Sequence, residues 1–163
     1  MRTYREHLRV PVSYWILGGI TMVTFASFSW AGFNLEVAAA AYVLLVFAPG
    51  VALWIWGNAT IEVGDGELRA GKDTLPLART GHVQVLDVGQ TTAMRGPLAD
   101  PAAFMLIRPY LSRVVYVEET ASADGDGPEY PYWLVGSRDP EGLAAAIVTE
   151  RARAARAGDP SVA

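Results

Sequence analysis

The sequence contains no cysteine. Disulfide staples, thiol nucleophiles and cysteine-based zinc sites are thereby excluded, and the absence fits a reducing compartment. Positive charge is scarce over a long stretch. No Lys or Arg stands between Arg9 and Arg69, and the only acidic residue from Val10 to Thr60 is Glu36. The whole chain has a single lysine, Lys72, and a formal net charge of -4, which argues against a general nucleic-acid binder with its basic footprint. Catalytic signatures are missing as well: there is no G-x-S-x-G and no phosphate-binding loop. His7 and His82 have no His or Glu at metal-binding spacing. Asp124-Gly-Asp126-Gly lacks the further ligands and terminal Glu of a calcium loop and reads as a solvated loop. No cofactor or metal is expected.

The charge-poor stretch holds two apolar runs. The first, Val12 to Phe33, would extend about 33 Å as a helix, against a hydrocarbon core of roughly 30 Å. Its hydroxyls (Thr21, Thr24, Ser27, Ser29) can bond to preceding backbone carbonyls. The second, Val37 to Trp56, contains Pro49-Gly50, where a bend is expected. Trp15, Trp30, Trp54 and Trp56 lie near the ends of these runs, as an aromatic belt would place them. The pattern predicts two transmembrane helices over about 12–33 and 37–56, joined around Asn34-Leu35-Glu36 into an antiparallel hairpin. Gly18, Gly19, Ala38 and Ala41 would allow close approach. Arg2, Arg5 and Arg9 precede the first run and the connector has no cation, so the positive-inside rule predicts a multi-pass plasma-membrane protein with both termini cytoplasmic.

After residue 58 the period changes. ATIEV alternates, Gly64-Asp65-Gly66 marks a hairpin turn, ELRA follows, and Gly71-Lys72-Asp73 marks a second turn before TLPL. Gly64-x-Gly66 precedes a strand, which separates it from a dinucleotide fingerprint. HVQVLDV, AFMLI, RVVYVEE and YWLVGS read as further strands. Asp139 is the expected N-cap of a last helix with Pro140 in its first turn, an apolar stripe of Leu143, Ile147 and Val148, and Arg151, Arg153 and Arg156 toward its negative end. The expected architecture is a membrane α-helical hairpin (residues 1–57 with the N-terminal arm) plus a small mostly-β α+β domain over 58–157. That domain would be a split barrel of about six or seven antiparallel strands with a C-terminal helix, as in pleckstrin-homology-like (PH-like) domains. An OB-like or generic α+β sheet gives a similar string. Residues 158–163 read as a disordered tail.

Several phrases recur together in order: YREHLRVPVSYW, IEVGDGELRAG, MRGPLADP, LIRPY and YWLVGSRDPEGLAAAI. Over roughly residues 4 to 150 the chain resembles the actinobacterial membrane family catalogued as domain of unknown function 3093. The resemblance implies a two-pass anchor with a β-rich cytoplasmic domain, and it implies no activity, substrate or catalytic residue.

One segment stands out as a candidate contact site. Arg95, Arg108 and Arg113 flank Gly96-Pro97 and Asp100-Pro101, two turn signals in one loop. Converging guanidinium groups would bind a phosphate or carboxylate, including anionic lipid head groups. Alternatively Arg95 pairs with Asp100 and the loop is only braced. Tyr110, Tyr130, Tyr132 and Trp133 read first as core aromatics, and second as a groove for a peptide or lipid. Three functions follow: a membrane-anchored, non-catalytic binding or scaffold module whose partners are the bilayer and another membrane protein, a structural subunit joined through its helical hairpin, and, least favoured, an enzyme.

Overall fold

The computed structural model describes residues 2–32, 34–57, 59–121 and 127–157. The loop with Asp124 and Asp126, the tail at 158–163 and the side chains of Ser29, Trp30, Pro49, Trp54 and Trp56 lie outside the described residues. The chain divides into two compact units. One is Leu8–Ala59; the other joins Met1–His7 to Thr60–Ala163.

The first unit is a pair of helices in contact, α1 (Val12–Gly32) and α2 (Leu35–Gly57). Pro11 opens α1, its carbonyl accepting from Tyr14 N–H at 3.0 Å. Inside α1, Thr21, Thr24 and Ser27 donate to the carbonyls of Leu17, Ile20 and Val23 at 2.7–2.8 Å, as four-back hydroxyl bonds do. Asn34 caps α2 by accepting from Val37 N–H at 3.1 Å, with Glu36 favourably placed in the first turn. The helix runs unbroken through residues 49–50. Ala26 and Ala38 are buried, while large apolar side chains of both helices are exposed.

Among the described residues, no helix is long and apolar enough to cross a membrane. The expected pair of transmembrane helices is corrected on this point, and the expected multi-pass plasma-membrane residence falls with it. The described side chains of α1 reach only Phe28 and those of α2 only Val51, so each described apolar stretch is shorter than the run read from the sequence and than the roughly 20 apolar residues a span requires.

The second unit is a small α+β body. Its first sheet has the order β1-β2-β3-β4, with β1 (Arg2–Leu8), β2 (Ala59–Gly64), β3 (Glu67–Ala70) and β4 (Asp73–Pro76). Asp65 (φ 53°) and Gly66 (φ 77°) form the two-residue turn between β2 and β3, both left-handed as a type I′ turn requires. Gly71 (φ 69°) leads the next turn, into β4. Ile61 and Val63 on β2, Leu68 and Ala70 on β3 and Leu75 on β4 point inward, so the alternation legible in the sequence marks the buried face.

A single 3-10 turn, Leu77–Arg79, leads to the second sheet. Its order is β5-β7-β8-β6, with β5 (Thr80–Leu86), β6 (Phe104–Leu106), β7 (Val114–Glu119) and β8 (Tyr132–Gly136). β8 lies between β7 and β6, and all five of its residues are buried. β6 and β8 are parallel. The expected barrel of antiparallel strands is therefore corrected to two four-stranded sheets, one of them mixed, with eight strands among the described residues. The eighth is β1, formed by residues expected to be an N-terminal arm. Between β5 and β6 lies α3 (Val88–Arg95), where a strand was expected to continue to Val88. Asp87 and Gln90 close a reciprocal capping box that turns the chain out of the sheet. Leu86, Val114, Tyr132 and Leu134 make a core cluster against which Met94 packs.

The last helix, α4 (Pro140–Ala157), packs on β5, β7 and the 3-10 turn. Asp139 is its N-cap, accepting from Gly142 N–H at 2.9 Å. The buried stripe is Leu143, Ala146 and Ile147; Val148, one step round the helix, is exposed. Arg151 donates to the carbonyls of Thr80 (3.1 Å) and Gly81 (2.7 Å), fastening α4 to the start of β5.

Because β1 belongs to this body, residues 58–157 alone omit one strand of it. We expect the excised segment 58–157 to unfold less cooperatively in urea than a chain in which residues 2–8 are joined to Ala59 by a short Gly-Ser turn. The difference should be about 3 kcal/mol, since several bonds to charged groups are lost. Equal stability would show that β1 is dispensable.

Candidate functional site

The three arginines of the Gly-Pro and Asp-Pro loop take different partners. Arg95, at the end of α3, turns one guanidinium nitrogen onto the carbonyls of Arg108 (3.0 Å) and Leu111 (3.3 Å). Burial lowers its pKa. Arg113 pairs with Glu141 in the first turn of α4, and that pairing holds the Glu141 carboxyl below its ordinary range. Arg108 and Arg138 both act electrostatically on Tyr110, opposing the rise in its pKa caused by burial. Arg95 therefore meets the main chain at Arg108, and its hydrogen bonds fold the loop inward.

The turn residues serve that same loop. Gly96 ends α3, its N–H donating to Ala93 O at 3.2 Å, and beyond Pro97, Leu98 N–H donates to the same carbonyl at 2.9 Å. The Asp100 carboxylate accepts from Ala102 N–H at 2.9 Å, across Pro101, while Asp100 N–H donates to the Tyr132 hydroxyl at 2.8 Å. Asp100 is thus engaged in its own turn and with β8. The aromatics pack on one another, with Tyr132 and Trp133 buried and Phe104, Tyr116 and Tyr130 half-buried: Phe104 and Trp133 rings lie 4.0 Å apart, with Tyr130 edge-on to both at 5.6 Å. Tyr116 and Tyr132 are 5.2 Å apart.

Two carboxylates that sequence reasoning passed over organise more of the unit. Glu119, at the end of β7, is 5% exposed. It accepts from Trp133 Nε1 (2.9 Å), Glu129 N–H (2.9 Å) and Tyr130 N–H (3.3 Å), and pairs with Arg79 at 2.9 Å. Arg79 also donates to Gly127 O at 2.8 Å. Glu6, on β1, accepts from Ser137 Oγ (2.6 Å), Tyr4 Oη (2.9 Å) and Arg138 N–H (2.9 Å). Burial, with Glu6 and Asp139 nearby, pushes the Tyr4 phenol up to about 12. The signal for Glu6 was the strand-like spacing of Tyr4, Glu6 and Leu8. For Glu119 it was a carboxylate ending the apolar strand VVYVEE.

His7 faces Thr60 (3.2 Å) and His82 N–H donates to Glu118 (3.1 Å). Among the described residues no group of three or more His, Asp or Glu side chains is placed to hold a metal ion. Chemically, the arrangement supplies rigid, hydrogen-bonded carboxylates and guanidinium groups that hold segments to one another.

The chain belongs to the family described as protein of unknown function (DUF3093), whose model matches residues 3–147. No curated protein and no solved structure matches it. The family carries no assigned activity, so the arginine loop has to be tested directly. Arg95→Ala removes the donor shared by Arg108 O and Leu111 O and should lower stability by about 1 kcal/mol in a urea melt. Arg95→Lys, which lacks the planar fork, should recover only part of it. An unchanged midpoint for Arg95→Ala would show that the loop does not rely on this side chain.

Proposed function

We propose that this family member is a non-catalytic scaffold module that joins a larger protein assembly through its apolar helical hairpin and holds its α+β unit within that assembly. The observation that supports the reading is the surface of α1 and α2. Phe28 is 73% exposed and Phe47 68%, and Val12, Leu17, Ile20, Phe25 and Leu44 are likewise exposed on the two helices. A large apolar side chain left in water forgoes roughly 1.5–3 kcal/mol relative to burial. Contiguous apolar surface beyond a few hundred Å² marks an interaction site.

The chemistry of the partner follows. From Val12 to Gly57 the only charged residue is Glu36, so the complementary surface is apolar and charge-poor. Apolar helices from other subunits meet that requirement, with small residues such as Ala allowing close approach. The polar side chains of the α+β unit support a scaffold rather than a turnover site. Arg79, Glu119, Glu6, Arg95 and Arg113 are each engaged in bonds between segments of the unit itself.

The full chain, purified in mild detergent and exchanged toward detergent-free buffer, should keep a defined mass above that of one chain, by itself or with a stoichiometric partner, in light scattering. Phe28→Glu with Phe47→Glu should abolish the complex and leave the α+β unit folded by circular dichroism. A single chain inside a detergent micelle, with no protein partner, would overturn the reading.

A further inference from the structure

Helix α1 has two opposite sides of different make-up. Among its described residues only Gly18, Met22 and Ala26 are buried or half-buried, and they recur at every fourth position. They form the side turned to α2, the helix that α1 contacts. Ile20 and Thr24 stand midway between them in sequence, and Ile16 and Phe28 continue the same spacing. This second row lies about 200° round the helix from the first. Ile16, Ile20 and Phe28 are each more than half exposed. Thr24, the polar member of the row, donates its hydroxyl to Ile20 O at 2.8 Å, so its donor is satisfied without water. Large side chains at four-residue spacing make a ridge of the kind that seats in the groove of another helix.

Charge separates this outer side from that of α2. No charged residue occurs in α1. In α2, Glu36 shares one side of the helix with Val43 and Phe47, and all three are exposed. Two copies meeting through α2 would have to take that carboxylate into the contact or next to it, at a desolvation cost. Two copies meeting through α1 bring no charge together, whichever way the second helix runs. An isologous contact needs such self-compatibility, because the same patch serves on both sides. The area is sufficient. Val12 and Leu17 flank the row and are also more than half exposed. A large apolar side chain removes roughly 60–120 Å² from water when buried, so two copies together cover on the order of 1,000 Å², the size at which a specific interface begins.

We propose that the partner of α1 is a second copy of this chain, the two copies pairing through the outer row Ile16, Ile20 and Phe28. The inference rests on the assembly reading above and names the partner for one of the two helices. In the pair the two α1 helices meet ridge into groove. The outer side of each α2, with Glu36 and Phe47, is left to other subunits of the assembly.

The chain has no cysteine, so a single introduced thiol reports on one position alone. The full chain carrying Ile20→Cys, exchanged out of detergent and treated with a short bis-maleimide, should be captured mostly as a covalent pair. Ile20 is near the middle of the row and stays within about one or two helical turns of its counterpart in either orientation. Phe25→Cys and Val43→Cys should remain mostly single chains. Phe25 is as exposed as Ile20 but lies about 140° round α1 from it, and Val43 is exposed on α2. Ile20→Glu should lower the number of copies in each complex from two to one, and Phe47→Glu should leave the pair intact. No capture at Ile20, or equal capture at all three positions, would overturn pairing through this row. A complex holding one copy beside a different protein would overturn the second copy as partner and leave the assembly reading standing. A single chain in a micelle, with no protein partner, would overturn both. If Ile20→Glu fails to form the hairpin, cross-linking of the milder Ile20→Cys decides alone.

Discussion

The buried carboxylate of Glu119 is the interaction on which the α+β unit depends most. A charge at that depth carries a desolvation cost of several kcal/mol, and it persists only when hydrogen bonds and a counter-charge replace the lost water. Glu119 has four such partners, from three places in the chain: Arg79 at the corner between the sheets, the backbone at 129–130 entering β8, and the indole of Trp133. Arg79 is far in sequence from the segment 129–133 that supplies the other three partners, so the carboxylate is fully satisfied only when the corner, β7 and the start of β8 are brought together. Its chemistry selects one arrangement of the corner, β7 and β8 against alternatives in which the charge would be buried alone.

Around this point the rest of the unit is assembled by the same device on a smaller scale. Glu6 draws β1 and the start of α4 together, Glu150 draws Thr3 and Arg153, and Arg151 closes α4 onto the carbonyls at 80–81. The hairpin is built by other means. Its two helices contain no ion pair between them among the described residues, and their contacts bury small residues such as Ala26 and Ala38. The topology joins the two styles: the hairpin is an insertion between β1 and β2, neighbours in one sheet.

The elements whose signals are local were legible in the sequence. β2, β3 and β4 were marked by alternation and by glycines at the two turns that need positive φ, and α4 by Asp139-Pro140 and its apolar spacing. β1 was not, because RTYREHL is polar or aromatic almost throughout and its arginines look like a topological signal. Strands at a sheet edge often carry such charges, which block further pairing. The eight-residue α3 was hidden because a strand pattern ran into it, although Asp87 and Gln90 stood at capping-box spacing. The parallel pairing of β6 and β8 has no local signature at all. Long charge-free runs were read as membrane spans; they form helices, but none described meets the length and apolarity required. In the arginine loop, Arg95 donates to main-chain carbonyls, Arg113 pairs with Glu141 and Asp100 is engaged in its own turn, partners that the spacing in sequence does not mark.

The central claim is that a buried carboxylate holds the strands in register, and a double-mutant cycle at Arg79 and Glu119 tests it most directly. Equilibrium unfolding would be measured for Arg79→Met, Glu119→Ala and the double variant. Glu119→Ala and Arg79→Met should each cost about 3–5 kcal/mol, because each leaves a partner without its counter-charge. The double variant should cost less than the sum of the two by more than 1 kcal/mol, the signature of a direct coupling. Single variants within about 0.5 kcal/mol of the natural chain, or strictly additive effects, would contradict the account.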